Sequence, residues 1–211
     1  NLTGANLTRA NLRGAGLWLA SLTGADLGSA NLTGANLRAA DLTNVNLKQT
    51  ILINSNLIDV TAVEGYASHA LLCHTRFPDG TLSGCELSEA DLHEVNLKKA
   101  NLTGADLNRA ILINADITKA TIGEGNLDQA LLCYTKMVDG TVSGCDLSGK
   151  DLTGANLRWT NLTQANLTET TLVDAKLIGA DLSAATLTEA RLTGADLTGI
   201  RLTAADLSGV D

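Results

Sequence analysis

Leucine returns at every fifth residue from Leu2 to Leu207 without a slip of phase. Of the 42 positions in that phase, 35 are Leu, and the rest (Ala62, Ala67, Phe77, Ile117, Ile122, Met137 and Val142) are apolar too. A second, small column runs from Ala5, two residues before the next Leu; 24 of its 42 positions are Ala. The two columns alternate at steps of two and three residues. An α-helix needs steps of three and four to keep one face apolar, and a five-residue step scatters leucines around it. A flat strand needs strict alternation, which the three-residue step breaks. A chain that turns a corner in every pentapeptide satisfies both columns, with Leu and the small residue inward and the other three outward. Such units bury their apolar face only by stacking, so the pattern predicts a solenoid.

Asn, Asp, Thr, Gly and Ser dominate the outward positions and suit tight turns. Ile200 and Lys150 stand out in the small column. A lysine is not buried unpaired without a cost of several kcal/mol, so Lys150 is expected to escape to solvent through a local irregularity of the coil.

Runs such as Ala25-Asp26-Leu27-Gly28-Ser29 and Ala35-Asn36-Leu37-Arg38-Ala39 resemble the A-(D/N)-L-x-x unit of the pentapeptide-repeat proteins. The likeness is cleanest over 1–50, 86–118 and 146–211. It implies an all-β fold, a right-handed quadrilateral parallel β-helix with four pentapeptides per coil, here a single domain over 1–211. At about 4.8 Å between paired strands, some ten coils give a rod of roughly 50 Å. Members of the family occur in cyanobacteria, in the periplasm and the thylakoid lumen among other places.

A longer repeat is superposed. Residues 51–110 resemble 111–170: Ile51-Leu52-Ile53-Asn54 returns as Ile111-Leu112-Ile113-Asn114, and Glu64-Gly65 as Glu124-Gly125. Within it the pentapeptide chemistry fails twice, where Tyr66, Leu71 and Arg76 stand in the place of Asp or Asn. Pro78-Asp79-Gly80 is a turn signal. Loop insertions are therefore expected at about 62–85 and 122–145, with Phe77, Pro78, Asp79, Gly80, Met137, Val138, Asp139 and Gly140 as candidate interaction residues. The opposing reading keeps the five-residue phase, with Leu72, Phe77 and Leu82 inward.

All four cysteines lie in these segments. If the loops protrude, Cys73–Cys85 and Cys133–Cys145 can bridge at their roots. If the coil is unbroken, Cys73 faces out, Cys85 faces in, and they cannot meet. Disulfides imply a periplasm or thylakoid lumen; free thiols fit the cytoplasm.

The formal charge is −8, with +1 over 1–60 and −9 over 61–211. An acidic chain is a poor direct binder of nucleic acid, and no apolar run is long enough for membrane insertion. His69, Cys73 and His74 suggest a metal site, but their counterparts are Gln129, Cys133 and Tyr134 and the spacing matches no zinc pattern. His93 reads as a solvated residue. No catalytic pair, P-loop or dinucleotide fingerprint occurs, so neither catalysis nor a cofactor is expected. Trp18 and Trp159 face outward, as interface anchors or packed on neighbouring repeats.

The expected role is a non-catalytic scaffold that docks an unknown protein partner through the loops, with end-to-end homodimers at the coil ends. The resemblance supplies an alternative, a DNA mimic acting on DNA gyrase. Such members look rich in Phe at the inward position, where this chain has Phe77 alone. An enzyme with its site at the loops is the remaining, remote class.

Overall fold

The computed structural model describes residues 1–62, 67, 69–123 and 127–211. Each pentapeptide builds the same corner. The Leu carbonyl accepts the N–H three residues on, as from Ala5 to Leu2 (3.0 Å) and Ala25 to Leu22 (2.8 Å). The second of the two residues so enclosed has positive φ, whether Gly4 (65°), Arg9 (60°) or Gln164 (60°). That requirement places Gly at many of these positions and sets a steric cost on the others. The Asn or Asp before each Leu accepts the N–H two residues ahead, as from Thr8 to Asn6 (3.1 Å), Gly28 to Asp26 (2.9 Å) and Thr153 to Asp151 (3.0 Å). The polar column is thus corner chemistry, an Asx turn repeated along the chain.

Four corners complete a coil. Parallel rungs join residues 20 apart, Asn6 to Asp26 to Asn46 and Asp146 to Asn166 to Thr186 to Asp206. Backbone bonds tie each side to the next coil: Leu22 to Asp41 (2.9 Å), Gly24 to Thr43 (2.8 Å) and Asp26 to Ala5 (2.9 Å). Each side is so short that, among the described residues, only β1 (Asn101–Leu102) and β2 (Thr121–Ile122), paired in parallel, extend to two residues. The architecture is a parallel β-helix of pentapeptides. Inward Leu27, Leu57, Leu157 and Leu167 are fully buried, as are Ala30, Ala40 and Ala180. Several buried threonines of the small column donate to a Leu carbonyl of the preceding coil, as Thr50 to Leu27 (2.8 Å), Thr135 to Leu112 (2.6 Å) and Thr170 to Leu147 (2.9 Å), while Ser55 and Thr160 donate within their own corners, to Leu52 and Arg158. The core therefore accepts Thr in place of Ala without an orphaned hydroxyl.

The chain resolves into two compact units, one of residues 1–90, 96–108 and 119–129, the other of 91–95, 109–118 and 130–211. In the first, rungs run from Asn6 to Arg76, with Glu86–Asp106 and β1–β2 beside them. In the second, Asp91–Ile111–Leu131 and Asp116–Lys136 precede the rungs from Asp146 to Asp206. Among the described residues no rung continues the 20-residue ladder beyond Arg76 or Lys136. An unbroken stack of ten coils is corrected accordingly: the ladder restarts after each cysteine-bracketed segment. Outward residues also enter the interior. Asn31, Thr33, Ile51 and Ile53 are buried in the first unit, and Ile111, Ile113 and Leu131 in the second. Asn31 donates to the Asn96 carbonyl (3.0 Å), and Asn156 to the Asp91 carboxylate (2.9 Å). The second of these bonds joins a mostly buried hydrogen bond between His93 and Asp91, so His93 is not the solvated residue expected.

Lys150 is exposed, as expected, but its backbone is regular: its N–H meets Leu147 (3.1 Å) and its carbonyl takes Thr171 N–H (2.9 Å). It lies in the first coil of its ladder, where its small-column neighbours Cys145 and Ala155 are also only partly covered. A local irregularity is not needed. Trp18 and Trp159 are exposed, at 64 % and 61 %, and the Trp159 ring covers Gly179 one coil on. No helix among the described residues is long and apolar enough to cross a membrane.

Two disulfide-closed hairpins as the candidate functional site

The segments that break the repeat form the same structure twice. Leu71 and Arg76 still occupy coil rungs, opposite Ile51 and Asn56. The chain then leaves the coil. Arg76 pairs antiparallel with Leu82, and Phe77 N–H meets the Thr81 carbonyl (2.9 Å). Gly80 N–H closes a β-turn on Phe77 (2.9 Å), with Gly80 at φ 84°. Pro78 in the second position and Gly80 in the fourth suit that turn, and a left-handed residue after it is usual in short hairpins. Thr75 and Ser83 exchange Ser83 N–H to the Thr75 carbonyl (2.9 Å) and Thr75 N–H to Ser83 Oγ (3.0 Å). The second copy repeats this with Lys136–Val142, Met137–Thr141 (2.8 Å), Gly140–Met137 (2.9 Å) and Ser143–Thr135 (2.9 Å).

Cys73 and Cys85 occupy facing positions of this same antiparallel register, two residues outside the Thr75–Ser83 pair. They form a disulfide with Cα atoms 4.0 Å apart, and Cys133–Cys145 forms its equivalent at 4.1 Å. Thus the coil continues past Cys73 and the disulfides still form, because the intervening residues fold back on themselves. Cys85 then re-enters a coil: its carbonyl accepts Asp106 N–H (2.9 Å). The irregular backbone spans about 76–83 and 136–143. Residues 63–66, 68 and 124–126, with Tyr66, Glu64-Gly65 and Glu124-Gly125, lie outside the described residues.

Of the candidate interaction residues, Pro78, Asp79, Gly80, Val138, Asp139 and Gly140 are exposed, whereas Phe77 and Met137 are partly covered. Phe77 packs on the first unit's core. Sequence phase had placed Leu82 inward in one reading; it is 56 % exposed, and its counterpart Val142 is 58 % exposed. Both are hairpin residues that the candidates omit, and their distance from the Asp-Gly turn was the signal for them. Asp79 and Asp139 cap the turns. Each accepts the hydroxyl (2.7 Å) and N–H (2.9 Å) of Thr81 or Thr141, which hold the carboxyls below the usual value of 3.8, the hydroxyl contributing most. His69 does not join Cys73 and His74; the cluster that forms is Cys73, His74 and Cys85.

A coil of four five-residue corners interrupted by bracketed hairpins defines a repeat solenoid whose distinctive chemistry lies outside the repeat. The model of the family "Pentapeptide repeats" matches over 1–38, 20–59, 68–104, 85–122, 110–149, 151–188 and 180–211, and the chain belongs to that family. Among solved structures it is similar to HetL, a pentapeptide repeat protein involved in heterocyst differentiation regulation in the cyanobacterium Nostoc sp. strain PCC 7120. Identity is 29%, over 96% of this chain and 89% of that one, with a TM-score of 0.29. A pentapeptide repeat protein of the Arabidopsis thaliana thylakoid lumen is 22% identical over 61% of this chain and 66% of its own, at a TM-score of 0.29. The plasmid-mediated fluoroquinolone resistance protein QnrB1 is 15% identical over 98% and 88%, at 0.25. No curated protein matches the chain.

Proposed function

We propose that the protein is a non-catalytic scaffold that docks a protein partner through its two hairpins. The observation that carries this reading is their duplication: two copies of one covalently closed hairpin, each presenting an exposed apolar side chain beside an ionised turn aspartate. Leu82 and Val142 offer apolar area at positions where a coil residue would be buried. A disulfide at the base limits the entropy lost when such a tip is immobilised on a partner. Asp41, Asp151, Asp181 and Asp196 have lowered pKa values, each explained first by the hydroxyl and N–H donors of its own corner. That is turn chemistry and supports a role without catalysis.

The hairpin disulfides favour an oxidising compartment, a periplasm or thylakoid lumen. The 20-residue rung spacing supports the right-handed quadrilateral form of the coil. An apolar recess of about 250 Å³ among Leu177, Leu187, Leu197 and Leu207 offers a surface for an end-to-end homodimer. Light scattering that returns only the monomer mass at high concentration refutes that dimer. For the main reading, both hairpins are replaced by plain A-D-L-x-x units and the variant is used to capture partners from native lysate. Loss of a partner held by the parent chain supports the reading; unchanged capture refutes it.

A further inference from the structure

The two hairpins differ at one chemically decisive residue. Beside the first disulfide stands His74, beside the second Tyr134. Donor atoms of Cys73, His74 and Cys85 all lie within 4.8 Å of one another, with both cysteines buried and the histidine partly so. Cys73 Sγ is 3.6 Å from His74 Nδ1. The Asn101 backbone carbonyl lies 3.3 Å from the same Nδ1 and 3.8 Å from Sγ. A tetrahedral zinc ion with bonds of about 2.3 Å to sulfur and 2.0 Å to nitrogen or oxygen has edges of about 3.5 Å from S to N or O and about 3.3 Å between N and O. The sulfur, imidazole and carbonyl stand close to that spacing.

We propose that reduction of the Cys73–Cys85 bond converts this corner into a binding site for a single zinc-class cation, ligated by Cys73, Cys85 and His74 with the Asn101 carbonyl at the fourth vertex. A dithiol reductant supplies two electrons and two protons, becomes a disulfide itself, and leaves both cysteines as thiols. Metal binding then displaces those two protons, and two thiolates neutralise the divalent charge. After reduction the Thr75–Ser83 and Phe77–Thr81 hydrogen bonds still bias the strands toward the same register, and the bound metal takes over the closure that the disulfide supplied. Asn54 Nδ2 donates to the Asn101 carbonyl (2.9 Å) and fixes it while leaving its second lone pair. A cleft of about 430 Å³ lined by His74, Asn101 and Arg76 gives access. Because Arg76 carries positive charge into that cleft, the attraction for a cation must come from the thiolates, so oxidation abolishes it.

The second copy is a built-in control. Asn114 donates to the Asn161 carbonyl (3.1 Å) as Asn54 does to Asn101. In place of the imidazole, however, the Tyr134 hydroxyl donates to the Thr163 carbonyl, and among the described residues no His, Asp or Glu side chain joins Cys133 and Cys145. Redox state thus governs metal binding at one hairpin and only cross-linking at the other.

The test is titration of the full chain with Co²⁺, before and after reduction by a phosphine, which is oxidised to its oxide. The expected result is one equivalent bound by the reduced protein, with thiolate-to-cobalt charge-transfer absorption, and none by the oxidised protein. His74→Tyr, which installs the second copy's side chain, is expected to weaken binding about 100-fold through loss of one of three side-chain ligands. Replacing Cys133 and Cys145 together by Ser leaves it unchanged. The proposal is overturned by binding to the oxidised chain, by two equivalents per reduced chain, by His74→Tyr binding as the parent does, by loss of binding in the Cys133/Cys145 variant, or by collapse of the circular dichroism spectrum on reduction.

Discussion

Replacing Cys133 and Cys145 together by Ala opens the second hairpin without touching its turn. The bridged residues are 12 apart, and closing a loop of that length removes unfolded-chain entropy worth about 3 kcal/mol. The hairpin's remaining ties are the Ser143–Thr135 and Met137–Thr141 backbone bonds and the Asp139–Thr141 cap. Each hydrogen bond contributes about 1 kcal/mol net, and a lone two-stranded hairpin is marginal in water. The global midpoint should fall by roughly 6–12 °C for a chain of this size. Amide exchange at Met137, Gly140, Thr141 and Ser143 should speed up more than at the coil amides of Leu167 and Leu172. Thermal melts and hydrogen exchange read both. Reduced parent protein, in which both bridges are cut, should show about twice that loss. A midpoint shifted by less than about 1 kcal/mol, or hairpin amides protected as before, refutes the claim that the bracket holds the hairpin.

Three further outcomes are expected. Asp41, Asp139 and Asp206 have folded pKa values below 3.8 because nearby hydroxyls and N–H groups favour the carboxylate. Their stabilisation is present above about pH 4 and lost as pH falls through the lower folded values, so melts between pH 5 and 2 should show a progressive loss; a flat profile contradicts it. Gly179→Ala sets a Cβ 2.1 Å from the Trp159 ring at a φ of +67°, so it should cost about 1–2 kcal/mol and shift Trp emission; an unchanged spectrum places the ring elsewhere. Supercoiling by DNA gyrase should proceed unaltered in the protein's presence, the inward column being Leu rather than Phe; inhibition or protection would revive the DNA-mimic reading.

The coil was legible because its geometry is written five residues at a time. Leu and Ala mark the interior, and Asn or Asp before Leu marks the corner. The hairpins were half legible. Cys73 and Cys85 lie symmetrically about Asp79, as Cys133 and Cys145 do about Asp139, which is the signature of facing positions in a hairpin centred on its turn. The five-residue phase continues numerically through Leu82 and Val142 and hid that symmetry. Burial of Ile51, Ile53, Ile111 and Ile113 was not legible as packing, since outward apolar residues say nothing of what covers them. Lys150 misled because solvent access came from its place in the first coil of a ladder, which a periodic sequence does not mark.

The most direct test of the docking claim is site-specific photo-crosslinking in native extract from three positions: Leu82 and Val142 on the hairpins, and Trp18 on the coil, equally exposed. One discrete adduct shared by Leu82 and Val142 and absent from Trp18 is the expected result. Adducts from Trp18 alone, or from all three alike, contradict it.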